Sequence, residues 1–155
     1  MNMKKAGLMA LCLTALLPVT SHAFGNPDTW TRGWGQGVSE FVITGKGQSK
    51  LLLSCEDEGS RAATITLTDA RGRQVSMDTD AELQVRIDQQ EAVDISDSGS
   101  RVGENNLDFA WGQLRRGKQV TVSGTGVTST TFTLKGAREV LPAFGTHGCV
   151  SAASV

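Results

Sequence analysis

Residues 63–69 read ATITLTD, and the alternation within them decides the fold. Side chains of an extended chain point to opposite faces at each step, so Ile65 and Leu67 share one face while Thr64, Thr66 and Thr68 share the other. That is the pattern of a strand with one face in a core and one in water. Runs of similar character recur with Gly, Asp and Ser between them: EFVIT (40–44), KLLLSCE (50–56), RQVSM (73–77), LQVRID (83–88), AVDI (92–95), LDFAW (107–111), KQVTVSG (118–124) and TTFTLKG (130–136). Such a series, with no sustained helical period, predicts an all-β fold, an antiparallel β-sandwich or flattened barrel. Residues 45–47 and 69–72 read as tight connections, and 97–106 as a loop. One short C-terminal helix is expected within 136–144, where Ala137, Val140, Leu141 and Phe144 share a face and Pro142 limits its length.

The first 23 residues carry a different signal. Lys4 and Lys5 precede an apolar run from Ala6 to Val19, and Ser21-His22-Ala23 supplies a small-x-small cleavage pattern. This predicts a secretory signal peptide over 1–23 and a single domain over 24–155, with 24–38 as a loosely ordered arm. The apolar run is shorter than the roughly 20 residues a spanning helix needs, and no later segment approaches that length, so no membrane span is expected. Cys12 sits inside the apolar run behind Leu11, a poor context for lipid attachment. The expected location is the periplasm or the cell exterior. There the two remaining cysteines, Cys55 and Cys149, predict a disulfide, against the competing reading of a metal or redox site that lacks any CxxC.

Removing Lys4 and Lys5 from the 15 basic residues leaves the 16 acids in excess, a balance that does not point to nucleic acid. Acids crowd between Met77 and Asp108, and bases dominate from Arg115 to Arg138. Two readings stand: ordinary solvated strand faces, or a two-signed surface for a protein partner. Catalytic chemistry finds little support. There is no GxSxG elbow, and the one histidine outside the leader is His147, in FGTHGC beside the expected bridge. Asp78, Asp80 and Glu82 resemble a calcium loop only loosely, since Leu83 stands where the turn glycine belongs. No enzyme, cofactor or metal is expected.

Two groups remain as candidate partner-binding residues. Trp30, Arg32 and Trp34 form either a stacking platform or an arm packed on the sandwich. Arg115, Arg116 and Lys118 follow LDFAW, which reads as an inner strand. Residues 112–117 then read as a connection with Leu114 turned inward and both arginines facing solvent. They serve solubility and pairing with the acidic middle segment, or a contact patch for an acidic surface.

Several features recur in a known arrangement: LLLSC (51–55), Arg86-Ile87-Asp88, FAWGQLRRGKQVTV (109–122), and a terminal Phe132, Leu134, Gly136, Ala137 and Cys149. With these in order, residues 50–149 resemble the VasI-like accessory proteins associated with type VI secretion and, more loosely, the invasion-associated locus B proteins of bacterial envelopes. FGTHG before the final cysteine stands where those proteins carry an arginine-bearing helix end. The resemblance implies a shared sandwich without catalytic residues. The expected function is a non-enzymatic accessory protein of an envelope system such as secretion or conjugation, with a protein partner. The alternative is a periplasmic inhibitor of a cell-wall-degrading enzyme.

Overall fold

Period-two patterning becomes strands in the computed structural model, which describes residues 24–155. The expected signal peptide and Cys12 lie outside the described residues. A first antiparallel sheet is a meander of β1 (Thr31–Gly35), β2 (Val38–Thr44), β3 (Lys50–Glu56), β4 (Thr64–Thr68) and β5 (Gln74–Ser76), neighbours in that order. The second holds β6 (Leu83–Ile87), β7 (Val93–Asp94), β8 (Gln119–Gly124) and β9 (Thr130–Thr133) in the order β7-β6-β8-β9.

Register explains the core. Phe41 sits opposite Leu53 and Leu53 opposite Ile65, while Ile43 sits opposite Leu51 and Leu51 opposite Leu67. These residues form continuous apolar rows on one face, all fully or almost fully buried. The second sheet answers with Leu83, Val85, Ile87, Val120, Val122 and Phe132, and both sets join a single cluster. The protein is therefore a β-sandwich, as the alternation predicts.

Asp69 fastens the two sheets at one end. Lying in the β4–β5 turn, it accepts hydrogen bonds from the backbone of Arg71, Arg73 and Thr128 and from the Arg73 guanidinium. Thr128 belongs to the β8–β9 connection of the opposite sheet, so one carboxylate bridges both layers. Asp69 is completely buried.

The main departure from expectation is LDFAW. Residues expected as a loop and an inner strand instead form one helix, α1 (Arg101–Leu114). Leu107, Phe109 and Trp111 mimic strand alternation, but the buried positions are Gly103, Leu107, Ala110, Trp111 and Leu114, which follow helical spacing, and Phe109 is half exposed. Ser100 caps the helix by accepting from the Gly103 amide at 3.0 Å. The 14-residue helix packs on β6 and β7, and Trp111 donates to the Pro142 carbonyl at 3.0 Å. The expected C-terminal helix is a single turn, α2 (Ala137–Val140), ending before Pro142.

The expected loose arm is also corrected. Residues 31–35 pair along their whole length with β2, and Trp30 is buried, donating its indole N–H to the Thr133 carbonyl at 2.8 Å. Behind the sheets, the tail crosses the molecule. The Val150 carbonyl accepts from Ala63, Ser151 and Ser154 donate to Glu104, and the Cys55–Cys149 disulfide is formed. Among the described residues, no helix is long and apolar enough to cross a membrane.

Candidate functional site

Strand register directs the side chains that gather at the β1 edge. Arg32 sits opposite Phe41 and Trp34 opposite Ser39, and paired residues project to the same side of a sheet. Phe41 and Ser39 are buried, so Arg32 and Trp34 also point inward. At this edge no strand of the second sheet covers them, and Trp34 is 67% exposed. The Arg32 guanidinium lies 5.8 Å from the Phe41 ring centroid and donates through Nη2 to Ser39 Oγ at 3.1 Å.

The Ser39 hydroxyl donates in turn to Asp57 Oδ1 at 2.9 Å, and the Trp34 indole N–H donates to Asp57 Oδ2. The Trp34 bond, then the Ser39 bond, with the charges of Arg32 and His147 behind them, hold the Asp57 carboxyl below its ordinary range. Trp34, Ser39, Arg32 and Asp57 thus form a connected polar group.

The facing wall comes from the C-terminal segment. The Arg115 Nε–H donates to the Leu141 carbonyl at 3.0 Å, which holds this side chain against the end of α2. Arg138 and Glu139 on α2 and His147 near the disulfide complete a cleft of about 280 Å³ shared with Arg32, Ser39 and Phe41. His147 adopts φ 50° in an exposed turn. Its neighbour Gly148 passes so close to the Glu56 carbonyl that a Cβ there would lie 1.6 Å from it. The approach brings Cys149 to Cys55, which is paired with Ser39 across β2 and β3. The bridge therefore anchors the wall that carries His147.

Three arginines, Arg32, Arg115 and Arg138, line this cleft with a single lining carboxylate, Glu139, while Asp57 lies behind Ser39. Among the described residues, the ion pairs are Arg61–Glu56 and Arg73–Asp69. Arg32, Arg115 and Arg138 make none. Guanidinium groups with unused N–H donors favour carboxylates and phosphates. No group of three or more His, Cys, Asp or Glu among the described residues could hold a metal ion.

The candidate residues thus separate. Arg32, Trp34 and Arg115 come together. Arg138, Ser39 and Asp57 join them without having been singled out, and so does His147, considered in the sequence only as a catalytic base. Trp30 does not, because burial removes it from any exposed platform. Arg116 and Lys118 are exposed elsewhere: the Lys118 amide bonds to Asp88 Oδ1 at 3.0 Å, and its side chain borders a different depression with Gln89. Arg115 is half-buried, not simply solvent-facing. Arg32 and Trp34 carried a legible signal in their shared strand parity. The meeting with Arg138 depends on long-range packing.

A family model described as YfjT matches the chain over residues 28–141. No curated protein and no solved structure matches the chain.

Proposed function

The chain belongs to the YfjT family, and we propose that it is an exported, non-enzymatic binding protein of the bacterial envelope that grips an acidic surface of a protein partner in the arginine cleft. The observation that carries this reading is the convergence of Arg32, Arg115 and Arg138 without an ion pair, beside an exposed Trp34. Arginine and tryptophan contribute disproportionately to binding energy at protein interfaces. The leader-like N-terminus and the resemblance to envelope accessory proteins support an accessory role in secretion or conjugation. The net negative charge argues for a local acidic contact on the partner over general attraction to polyanions.

Photocrosslinking in the native host from position 34, compared with an Arg32→Ser/Arg138→Ser variant, tests the reading. Capture of an envelope-complex component by the wild type, reduced at least tenfold in the variant and weakened by added salt, is the expected result. Capture of a murein hydrolase instead would move the protein to the inhibitor class. Equal capture by both forms would remove the cleft from the interface.

A further inference from the structure

The seam between the two sheets is fastened at Asp69, which accepts from Thr128, and again at Trp30. At the second fastening, the Trp30 amide donates to the Lys135 carbonyl at 2.9 Å and its indole to the Thr133 carbonyl at 2.8 Å, so the residue before β1 occupies the outer edge of β9. A groove of about 550 Å³ opens between β9 and the β2–β3 turn, running from Ala70 and Thr128 beside Asp69 to Thr133 beside Trp30. Thr44 and Lys46 form one wall and Ala70 lies at its end, with Thr131 and Thr133 opposite.

Backbone parity decides what faces this groove. The Leu134 amide donates to the Lys118 carbonyl of the neighbouring chain segment, in line with the β8–β9 ladder. In an antiparallel pair the backbone groups of alternate residues turn inward to the partner strand. Residues 130, 132 and 134 therefore bond towards β8, while 131, 133 and 135 turn to the outer edge. The Trp30 bonds to the carbonyls of 133 and 135 follow that parity. The N–H and C=O of Thr131 and the N–H of Thr133 are the remaining edge groups, and they border the groove.

We infer that this groove receives an extended segment of another polypeptide, which adds to β9 as an outer strand. Donors and acceptors spaced along a strand edge match the alternating groups of an extended backbone. The protein's own chain already pairs with the same edge at its far end through the Trp30 amide. Side-chain selection is modest: threonines line the β9 wall, and Lys46 favours an acidic residue at one end. This surface is separate from the arginine cleft, and the inference does not depend on the function proposed for that cleft.

Selection of displayed random nine-residue peptides on the full mature protein, with counter-selection on Thr131→Pro, tests the proposal. Proline at this position removes the outward N–H and leaves the ladder bonds of residues 130 and 132 in place. Should that variant fail to fold, Ala70→Trp crowds the groove from the other side and serves as the counter-selection partner. Expected are enriched peptides with period-two side-chain patterning that bind at least tenfold more weakly to the counter-selected variant. They should slow hydrogen exchange at the Thr131 and Thr133 amides and bind Arg32→Ser/Arg138→Ser unchanged. Peptides that bind both forms equally, or no enrichment over counter-selection, would overturn the proposal. So would Thr131 amides already protected in a concentration-dependent dimer, since a second copy would then fill the edge.

Discussion

A single carboxylate, Asp69, shows how much one side chain can organise. It is fully buried and takes bonds from Thr128 at 2.9 Å, Arg71 at 2.9 Å and both the backbone and guanidinium of Arg73, at 3.1 and 2.8 Å. The Thr128 amide, followed by the donors from Arg73 and Arg71, holds its carboxyl well below the ordinary range despite burial. A depressed folded pKa contributes stability that is present above the unfolded value, near 4 for aspartate, and is lost as pH falls through the lower folded value. Asp69→Asn keeps the side-chain shape but places an amide donor against N–H groups. Its expected cost is a fall in Tm on the order of 10 °C at neutral pH. Melts between pH 2 and 7 should show the wild type losing stability through the acid range and the variant declining less. Parallel curves would mean that the charge on Asp69 is not what couples the sheets.

Helix α1 poses the same question at the level of an element, because its two interior glycines answer to different constraints. A Cβ on Gly103 would lie 1.8 Å from the backbone carbonyl oxygen of Asp97, whereas one on Gly112 would meet only the end of the flexible Arg116 side chain, at 3.0 Å. Gly112→Ala should therefore stabilise the protein by about 0.5–1 kcal/mol through helix propensity. Gly103→Ala should destabilise it by more than about 2 kcal/mol, since backbone must move. Urea midpoints of the two variants check both signs, and a neutral Gly103→Ala would show that the 97–100 turn yields easily. The same helix marks the limit of what was legible in the chain. ATITLTD and KLLLSCE are patterned by burial on one side, and the structure buries Ile65 and Leu67, as expected, with Leu51 and Leu53 opposite them. LDFAW misled because Leu107, Phe109 and Trp111 have strand spacing, although Phe109 faces outward. The discriminating signal was present: a Ser100 cap followed by Leu107, Ala110, Trp111 and Leu114 at helical intervals. For the cleft, Arg32 and Trp34 were grouped with Trp30 on an arm expected to be loosely ordered, and no local pattern encodes their meeting with Arg115, Arg138 and His147. That meeting arises from α2 and the tail folding back over the β1 edge.

At the scale of the whole molecule, the tail joins elements that the sheets alone leave separate. The family match ends at residue 141, before the segment that contributes His147 and Cys149. From there the chain contacts β3 through the disulfide, the approach to β4 through the Ala63 amide at 2.7 Å, and α1 through Ser151 and Ser154 on Glu104. Ser98 accepts from Ala153 through its carbonyl and from Ala152 through Oγ, each at 3.0 Å, tying the tail also to the turn before α1. Cys55 and Cys149 are 94 residues apart in sequence, so the bridge constrains most of the unfolded chain. The chain-entropy model puts the stabilisation at about 4–5 kcal/mol. Cys55→Ala/Cys149→Ala retains both apolar rows of the sandwich and should still fold, with a lower urea midpoint. Its m value should rise, because an uncrosslinked unfolded chain exposes more surface. The cleft should suffer beyond this loss of stability: without the anchor beside Ser39, the wall carrying His147 loses its covalent tie to the wall carrying Arg32. Partner capture from position 34 should then fall under conditions where circular dichroism shows the variant folded. Unchanged capture by the folded variant would assign the tail to stability alone, and leave Arg32, Arg115 and Arg138 sufficient for the binding surface.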